Sequence, residues 1–220
     1  MLTALVALIA LQAPNTLSDA EVKAGWKLLF DGKTTHGWHN FMKEGIGSGW
    51  VVKDGALTSE DPGKAGDIVT DDQYDWFELI VDFKLTPGGN SGIMFHVQDT
   101  GEATWHSGPE VQIYDNGANE AAQKSGWLYQ LYSSDKDSTK PVGEWNEIRL
   151  LVTPKHCETD VNGVKYYDFV LDSDDFKARV AKSKFAEHEM FASKRIGRIA
   201  IQGDHGVVSF RNIKIRPIKQ

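Results

Sequence analysis

Apolar and polar residues alternate along most of the chain in short runs of strand length. In the segment FELIVDFKL, from Phe77 to Leu85, every second residue is apolar and charged residues fill most of the positions between them. Successive side chains of a strand point to opposite faces, so the pattern predicts a strand with one buried face and one wet face. Glu78, Asp82 and Lys84 are accordingly expected to be solvated.

Similar runs follow one another with only short separations, and Gly, Asp, Asn or Pro lies between them. The runs are WKLLF, GWVVKDGALT, DIVT, FELIVDFKL, SGIMFHV, PEVQIYD, GWLYQLY, EIRLLVT, CETDVNGVKYYDFVL, RIGRIAIQ and VVSFRNIKIRPI. Turn dipeptides such as Asp54-Gly55 and Asn162-Gly163 predict tight hairpins. The chain therefore reads as an all-β antiparallel sandwich or barrel. One short helix is predicted from about Ser173 to Phe185, where Ser and Asp residues offer an N-cap.

The amino terminus has a different composition. Residues 1–13 contain the uncharged apolar run Leu2–Leu11, which is too short to span a bilayer and is typical of a signal-peptide core. We expect a signal peptide over 1–13, a linker over 14–21 and a single domain over 22–220. The expected localisation is periplasmic or secreted, with no membrane insertion after signal removal. Cys157 is the sole cysteine, so no intrachain disulfide can form.

Composition narrows the class of partner. The 220-residue chain has a net charge of -7 and no cluster of Lys and Arg, which argues against a nucleic-acid partner. Seven Trp residues suit an all-β domain with an aromatic-lined groove. The oligomeric state is left open.

The stretch GPEVQIYDN is the first candidate for a functional site. If it is a strand, Glu110, Gln112 and Tyr114 share one face, while Val111 and Ile113 share the other. Glu110 is the candidate carboxylate, with Gln112 beside it to donate hydrogen bonds. The alternative is an ordinary strand whose polar face looks at water.

Other polar and aromatic residues are candidates for the same cleft. His205 follows the RIAIQ strand, where an imidazole could transfer protons or bind a metal, or could simply bond to backbone. Gln202 and Asp204 could orient that ring or hold hydroxyl groups of a ligand. His96 shares a predicted strand face with Met94 and is a candidate wall group. The remaining candidates for substrate binding are aromatic: Trp105 and Tyr129, which could form a stacking surface for a ligand or belong to the core.

The segment HCETD contains three alternating residues that can ligate metals. A strand would place His156, Glu158 and Asp160 on one face. Runs of this kind more often mark the outward face of an edge strand. The metal-binding reading therefore stays open as the weaker of the two.

Six landmarks in order and spacing carry a resemblance to a known family: LLFDGKTTHGW, GNSGIMFHV, GPEVQIYDN, PVGEWNEIRL, VNG and IAIQGDHGVVSFRNIKIRPI. Together they resemble the 3-keto-disaccharide hydrolase domain family over roughly residues 27–217. The resemblance implies a concanavalin A-like jelly roll of two curved antiparallel sheets whose concave face forms a sugar cleft. It also implies an exported enzyme that acts on glycosides whose C3 hydroxyl has been oxidised to a ketone.

A ketone at C3 acidifies the C2 proton, so a base can form an enolate that expels the group at C1, and water can then add to the enone. This route needs a base, an electrophile at the ketone oxygen and an acid for the leaving oxygen. Glu110 and His205 are the catalytic candidates, and a divalent metal ion could be the electrophile.

Two alternatives share the fold. One is a non-catalytic carbohydrate-binding module. The other is a retaining glucanase with Glu110, Gln112 and Asp115 in its acidic frame, although Gln112 removes the middle carboxylate and Asp115 points to the other face.

Overall fold

The structure of the protein, a computed structural model, describes residues 12–118 and 123–219. The apolar run behind the signal-peptide prediction, residues 2–11, lies outside the described residues. The structure contains no helix, within those ranges, that is long and apolar enough to cross a membrane.

Thirteen strands and three short helices are present in the described ranges. The strands are β1 Lys27–Leu28, β2 Trp38–Asn40, β3 Trp50–Lys53, β4 Ala56–Ser59, β5 Ile68–Thr70, β6 Phe77–Leu85, β7 Asn90–Val97, β8 Glu110–Tyr114, β9 Asn146–Val152, β10 Cys157–Val161, β11 Val164–Phe169, β12 Arg198–Ile201 and β13 Val208–Pro217. The helices are α1 Asp19–Lys23, α2 Pro62–Ala65 and α3 Asp174–Val180, and 3₁₀ turns cover Thr104–His106, Asn116–Ala118 and Lys184–Glu187.

The strands form two antiparallel sheets, which confirms the predicted all-β sandwich. The eight-stranded sheet has the order β11-β10-β9-β6-β13-β4-β3, with β1 paired to β13, and the five-stranded sheet has the order β2-β5-β12-β7-β8. Asn162 and Gly163, and likewise Asp54 and Gly55, have positive φ values, as the predicted two-residue hairpin turns require.

The core lies between the sheets. The eight-stranded sheet contributes Leu79, Val81 and Phe83, and the five-stranded sheet contributes Phe95 and Ile113, all at most 1% exposed. Burial of this apolar surface is the main stabilising contribution to the fold. The predicted alternation of β6 is thus confirmed on its apolar side.

Three segments differ from expectation. The expected linker, 14–21, packs on the domain, since Asn15 bonds to the backbone of Asn212 and Glu21 pairs with Lys214 at 2.5 Å. The predicted helix ends at Val180 and not near Phe185, because Ser183 accepts a hydrogen bond from the Phe185 amide and starts a separate 3₁₀ turn.

The third difference is GWLYQLY, predicted as a strand. This segment makes only isolated bridges, and Gln130 has a φ of 61°, which turns the chain back on itself. Three hydrogen bonds still tie it to β8, including Tyr129 N to Glu110 O at 2.9 Å. The strand prediction was wrong, but the segment lies beside the candidate carboxylate.

Candidate active site

A cavity of about 280 Å³ opens on the face of the five-stranded sheet that is turned away from the core. It brings together most of the residues predicted from sequence. The lining residues are Asn90, Trp105, Glu110, Gln112, Gln123, Tyr129, Lys184, Gln202 and His205.

Strand alternation explains why β8 supplies two of these residues. Val111 and Ile113 are buried in the core, so Glu110 and Gln112 face the cavity. In the neighbouring strand β7, Met94 lies opposite Glu110 and Gly92 lies opposite Gln112. The predicted division of GPEVQIYDN into an apolar face and a chemical face matches the placement of these four side chains.

Gly92 makes room for the Glu110 side chain. A Cβ atom built at Gly92 would collide with the carboxyl group of Glu110. Any larger residue at this position would push the carboxyl group out of its place. The close approach of this side chain to the backbone therefore requires glycine.

Glu110 is buried without a charged partner in contact. Its side chain is 6% exposed, and its carboxyl group forms no hydrogen bond or ion pair with another described residue. Burial raises the pKa of Glu110 to about 8, the positive charge of Lys184 opposes the rise, and Asp67 and Asp204 add to it. A buried carboxyl of this kind is suited to exchange a proton near neutral pH.

Polar amides line the same cavity as the carboxyl group. Gln112 is 2% exposed, and its amide donates to Asn90 Oδ1 at 2.7 Å, which holds both side chains in place. Gln202 follows β12, and its backbone is held by Gly92 O at 3.0 Å and by the Ser91 hydroxyl at 2.7 Å. These amides can serve as partners for sugar hydroxyls.

His205 reaches the cavity from the loop after β12. Its side chain is exposed, and Nδ1 lies in hydrogen-bond contact with Asp204 Oδ1. Asp204 itself lines a neighbouring cavity of about 350 Å³ and not the one that contains Glu110. The contact between Asp204 and His205 agrees with the prediction that Asp204 orients the imidazole. Asp204 does not itself line the cavity that contains Glu110.

A third carboxyl group stands behind this loop. Asp67 accepts hydrogen bonds from the Thr104 hydroxyl and from Gly203 N. Burial raises the pKa of Asp67 to about 6, the Thr104 bond opposes the rise, and Asp204 adds to it. The negative charge near Glu110 therefore depends on pH in the neutral range.

Trp105 and Tyr129 form an aromatic wall, and a cation lies on it. Lys184 Nζ is 4.2 Å from the centroid of the Trp105 ring and 4.8 Å from that of Tyr129. The predicted aromatic pair is thus in the cavity, where each ring presents a face to Lys184.

His96 does not line the cavity, so its prediction as a wall group has to be corrected. A bulge in β7 shifts the register against β12, and His96 takes a φ of 56°. Val97 then joins Met94 on the cavity side in place of His96. The imidazole, 2% exposed, packs on Trp76 and Phe77 and contacts Asp75 O at 2.6 Å. Burial lowers its pKa to about 4.

Three lining residues were not predicted as site residues: Asn90, Gln123 and Lys184. Asn90 directly precedes SGIMFHV, and its spacing of four residues from Met94 would have placed both on one strand face. Lys184 was assigned to a helix end, and only the fold shows that the turn at Lys184–Glu187 carries it to the cavity. Gln123 had no local signal.

The acidic residues of HCETD and Asp115 form hydrogen bonds and ion pairs away from the Glu110 cavity. Arg149 Nη1 binds Glu158 at 2.7 Å and Asp160 at 2.6 Å, so HCETD belongs to an ion-pair network. Asp115 accepts from Gly88 N and Gly117 N in a turn and lies outside the Glu110 cavity. Within the described ranges, no group of three or more His, Cys, Asp or Glu side chains is arranged to hold a metal ion.

Comparison with known proteins places these features in context. Residues 25–216 match the model of the 3-keto-alpha-glucoside-1,2-lyase-like domain. The chain is 29% identical to a 3-keto-disaccharide hydrolase of Bacteroides thetaiotaomicron, over 87% of this chain and 78% of that protein.

Two solved structures are similar to this chain in fold. A candidate glycosyl hydrolase of Parabacteroides distasonis is 30% identical and superposes with a TM-score of 0.86, over 94% of this chain and 100% of that chain. The carbohydrate-binding module CBM66 of Bacillus subtilis shares the fold, with a TM-score of 0.51 and 11% identity over 82% of this chain and 95% of that chain.

Proposed function

Because the chain belongs to the 3-keto-alpha-glucoside-1,2-lyase-like domain family, we propose that it is a glycoside-cleaving enzyme whose substrate carries a ketone at C3. The relatives that support this proposal are the 3-keto-disaccharide hydrolase and the candidate glycosyl hydrolase. The observation that carries the proposal is Glu110, a buried carboxyl that contacts no partner among the described residues and faces a sugar-sized cavity.

Glu110 is the base in this proposal. The ketone makes the C2 proton acidic, and the carboxylate removes it to give an enolate. A base is most effective when its pKa lies near the working pH, and burial raises the pKa of Glu110 to about 8. An ordinary glutamate on a wet strand would be a much weaker base.

His205 is the acid. The enolate expels the group at C1, and the leaving oxygen takes a proton from the imidazolium as the bond to carbon breaks. His205 lines the cavity and contacts Asp204, which orients the ring. Water then adds across the resulting enone, so the net outcome is hydrolysis. The amides of Gln112 and Gln202 are suited to hold the sugar hydroxyls.

A carbohydrate-binding module is the alternative on this fold. A binding module needs stacking rings and partners for sugar hydroxyls. It gains nothing from a carboxyl group whose ionisation is disfavoured by burial. Retaining glucanase chemistry needs a second carboxyl about 5 Å from the first, and Asp115, its candidate in the acidic frame, is held in a turn.

We also propose that the protein is exported to the periplasm or beyond the cell. The apolar run Leu2–Leu11 supports this localisation. Amino-terminal sequencing of the mature protein from its native host would show removal of roughly the first dozen residues, whereas an intact start would count against export.

The test of the activity compares oxidised and unoxidised substrates. Purified protein is incubated with 3-keto-trehalose and with trehalose, each with and without a chelator, and glucose release is followed. Release from 3-keto-trehalose alone supports the proposal. Cleavage of trehalose indicates ordinary glycosidase chemistry, and saturable binding without release indicates a binding module. Loss of release with chelator would assign the electrophile to a metal ion.

A further inference from the structure

Lys184 lines the cavity. Its predicted place near the end of the helix Ser173 to Phe185 does not explain this position. It begins the 3₁₀ turn Lys184–Glu187, and the next residue, Phe185, is 1% exposed and stacks on Phe191 with 4.1 Å between ring centroids. The Lys184 amide donates to Gln130 Oε1 at 3.1 Å. The chain is thus anchored at the start of the turn, at Lys184 and at Phe185, so the Lys184 side chain starts from a defined place.

The ammonium group is held by ring faces and not by a carboxylate. It lies over Trp105 and Tyr129, and it forms no ion pair with another described residue. Ring faces attract a cation but do not neutralise it, so the ammonium keeps its charge and its N–H donors for a ligand.

The charge of Lys184 is coupled to Glu110. The side chain is exposed along the open cleft, but partial desolvation lowers the pKa of Lys184, and Glu110 opposes that change. Among the described residues that line the cavity, Lys184 carries the only Lys or Arg side chain. The base and the cation therefore face the same ligand volume.

The proposed reaction needs a positive group at the ketone oxygen, because proton removal from C2 moves negative charge onto that oxygen. A charged donor in place before the reaction stabilises such an oxyanion far better than a neutral amide. Building on the proposed function, we propose that Lys184 is the catalytic electrophile, whose ammonium donates to the C3 oxygen as Glu110 removes the C2 proton.

The step is balanced without a further reagent. The C2–H bond breaks, its proton passes to Glu110, and its electron pair forms the C2–C3 double bond. The electrons of the ketone double bond move to the oxygen, where the Lys184 ammonium stabilises them through a hydrogen bond. Lys184 returns to its place on the aromatic wall when the ketone re-forms.

The experiment isolates enolisation from elimination. The probe is 1,5-anhydro-3-keto-glucitol, which has a C2 proton but no exocyclic leaving group at C1. Its exchange of C2 hydrogen for deuterium in D₂O is followed by NMR with wild type, Lys184→Met, Lys184→Arg and the control Lys182→Met, which alters an exposed lysine two residues away.

We expect Lys184→Met to lower the maximal exchange rate about 10²-fold with little change in KM, since a charged oxyanion donor is lost. Lys184→Arg should restore part of the rate, and Lys182→Met should match wild type. A purely structural role would change KM or thermal stability and leave the maximal rate intact.

The outcomes separate the two proposals. If Lys184→Met exchanges the C2 hydrogen at the wild-type rate, only the role of Lys184 is overturned. If the wild type itself shows no exchange, the proposed function is overturned as well. Incubation with substrate and cyanoborohydride adds one more check. A reduced sugar adduct on Lys184, seen by mass spectrometry, would replace the electrostatic role by a covalent imine and so contradict the proposal.

Discussion

Two buried glutamates lie on the outer faces of opposite sheets, and their surroundings differ sharply. Glu78, on β6, is 7% exposed and receives hydrogen bonds from Arg149 at 2.5 Å and from Arg216. Glu110, on β8, is 6% exposed and has no such partner among the described residues. Burial is thus the same, but only one carboxylate is neutralised.

The pKa values of these two groups move in opposite directions. Burial raises the pKa of Glu78, but the hydrogen bonds from Arg216 and Arg149 outweigh it, so the net shift is downward. For Glu110 burial dominates and the pKa rises to about 8. A partnered buried carboxylate supports the fold, whereas a buried carboxyl group with a raised pKa beside a cavity is typical of functional sites.

The largest expected difference between these glutamates is in activity. Glu110→Gln should lower kcat/KM on 3-keto-trehalose by about 10³-fold or more, because the amide cannot accept the C2 proton. Glu78→Gln should leave kcat/KM within about threefold of wild type, since the two side chains lie on different sheets. Steady-state kinetics on both variants measures the contrast. Equal losses of kcat/KM in the two variants would contradict a catalytic role that belongs to Glu110 and not to Glu78.

The second expected difference is in stability, and it has opposite signs. Glu110 has a folded pKa above its ordinary value, so stability is full at low pH and falls as pH rises from about 4.5 through about 8. At about pH 9, Glu110→Gln should therefore be more stable than wild type by about 2–4 kcal/mol.

Glu78 has a folded pKa below its ordinary value, so its contribution is present at neutral pH and is lost as pH falls. Glu78→Gln should be less stable than wild type by about 2–3 kcal/mol near neutral pH, because Arg149 and Arg216 lose a buried partner. Denaturant unfolding at several pH values checks both glutamates. Destabilisation by Glu110→Gln at high pH would show that its carboxylate has a partner after all.

A third expected effect concerns the acid. His205→Ala should lower kcat/KM by about 10²-fold on a substrate with a poor leaving group, and by less on an aryl 3-keto-glucoside, whose leaving group needs no proton. The exposed His36, far along the chain, supplies the control variant His36→Ala. The same loss on both substrates would remove His205 from the acid role.

The smallest expected effect is the pH dependence of the wild type. On an aryl 3-keto-glucoside, whose leaving group needs no acid, kcat/KM should rise about tenfold between about pH 7 and about pH 9 and level off above the pKa of Glu110, because the active form of Glu110 is ionised. Glu78→Gln should keep this profile. A rate that is flat over this range would mean that Glu110 is already ionised in the free enzyme.

The sequence predicted the strand face of those residues that follow a regular alternation of apolar and polar positions. Glu110 and Gln112 lie where period-two reasoning put them, and so do the core residues of β6 and β8. His96 could not be placed, because one bulged residue in β7 reverses the faces that follow it.

The charge partners of a strand residue were also beyond the sequence. Glu78 was expected to be solvated, but Arg149 and Arg216 come from two other strands that the topology places on either side of it. Lys184 was missed for a related reason, since a turn far along the chain brings it to β8. Neighbours across a sheet depend on strand order, which local patterns do not encode.

The central claim is that Glu110 takes the C2 proton of a 3-keto-glycoside. The most direct measurement uses 3-keto-trehalose carrying deuterium at C2 and compares deuterium release into water with glucose release. Wild type is expected to release both at the same rate, well above the enzyme-free exchange, and Glu110→Gln is expected to release neither. Glucose released by the wild type while the keto-sugar keeps its C2 deuterium would contradict the account.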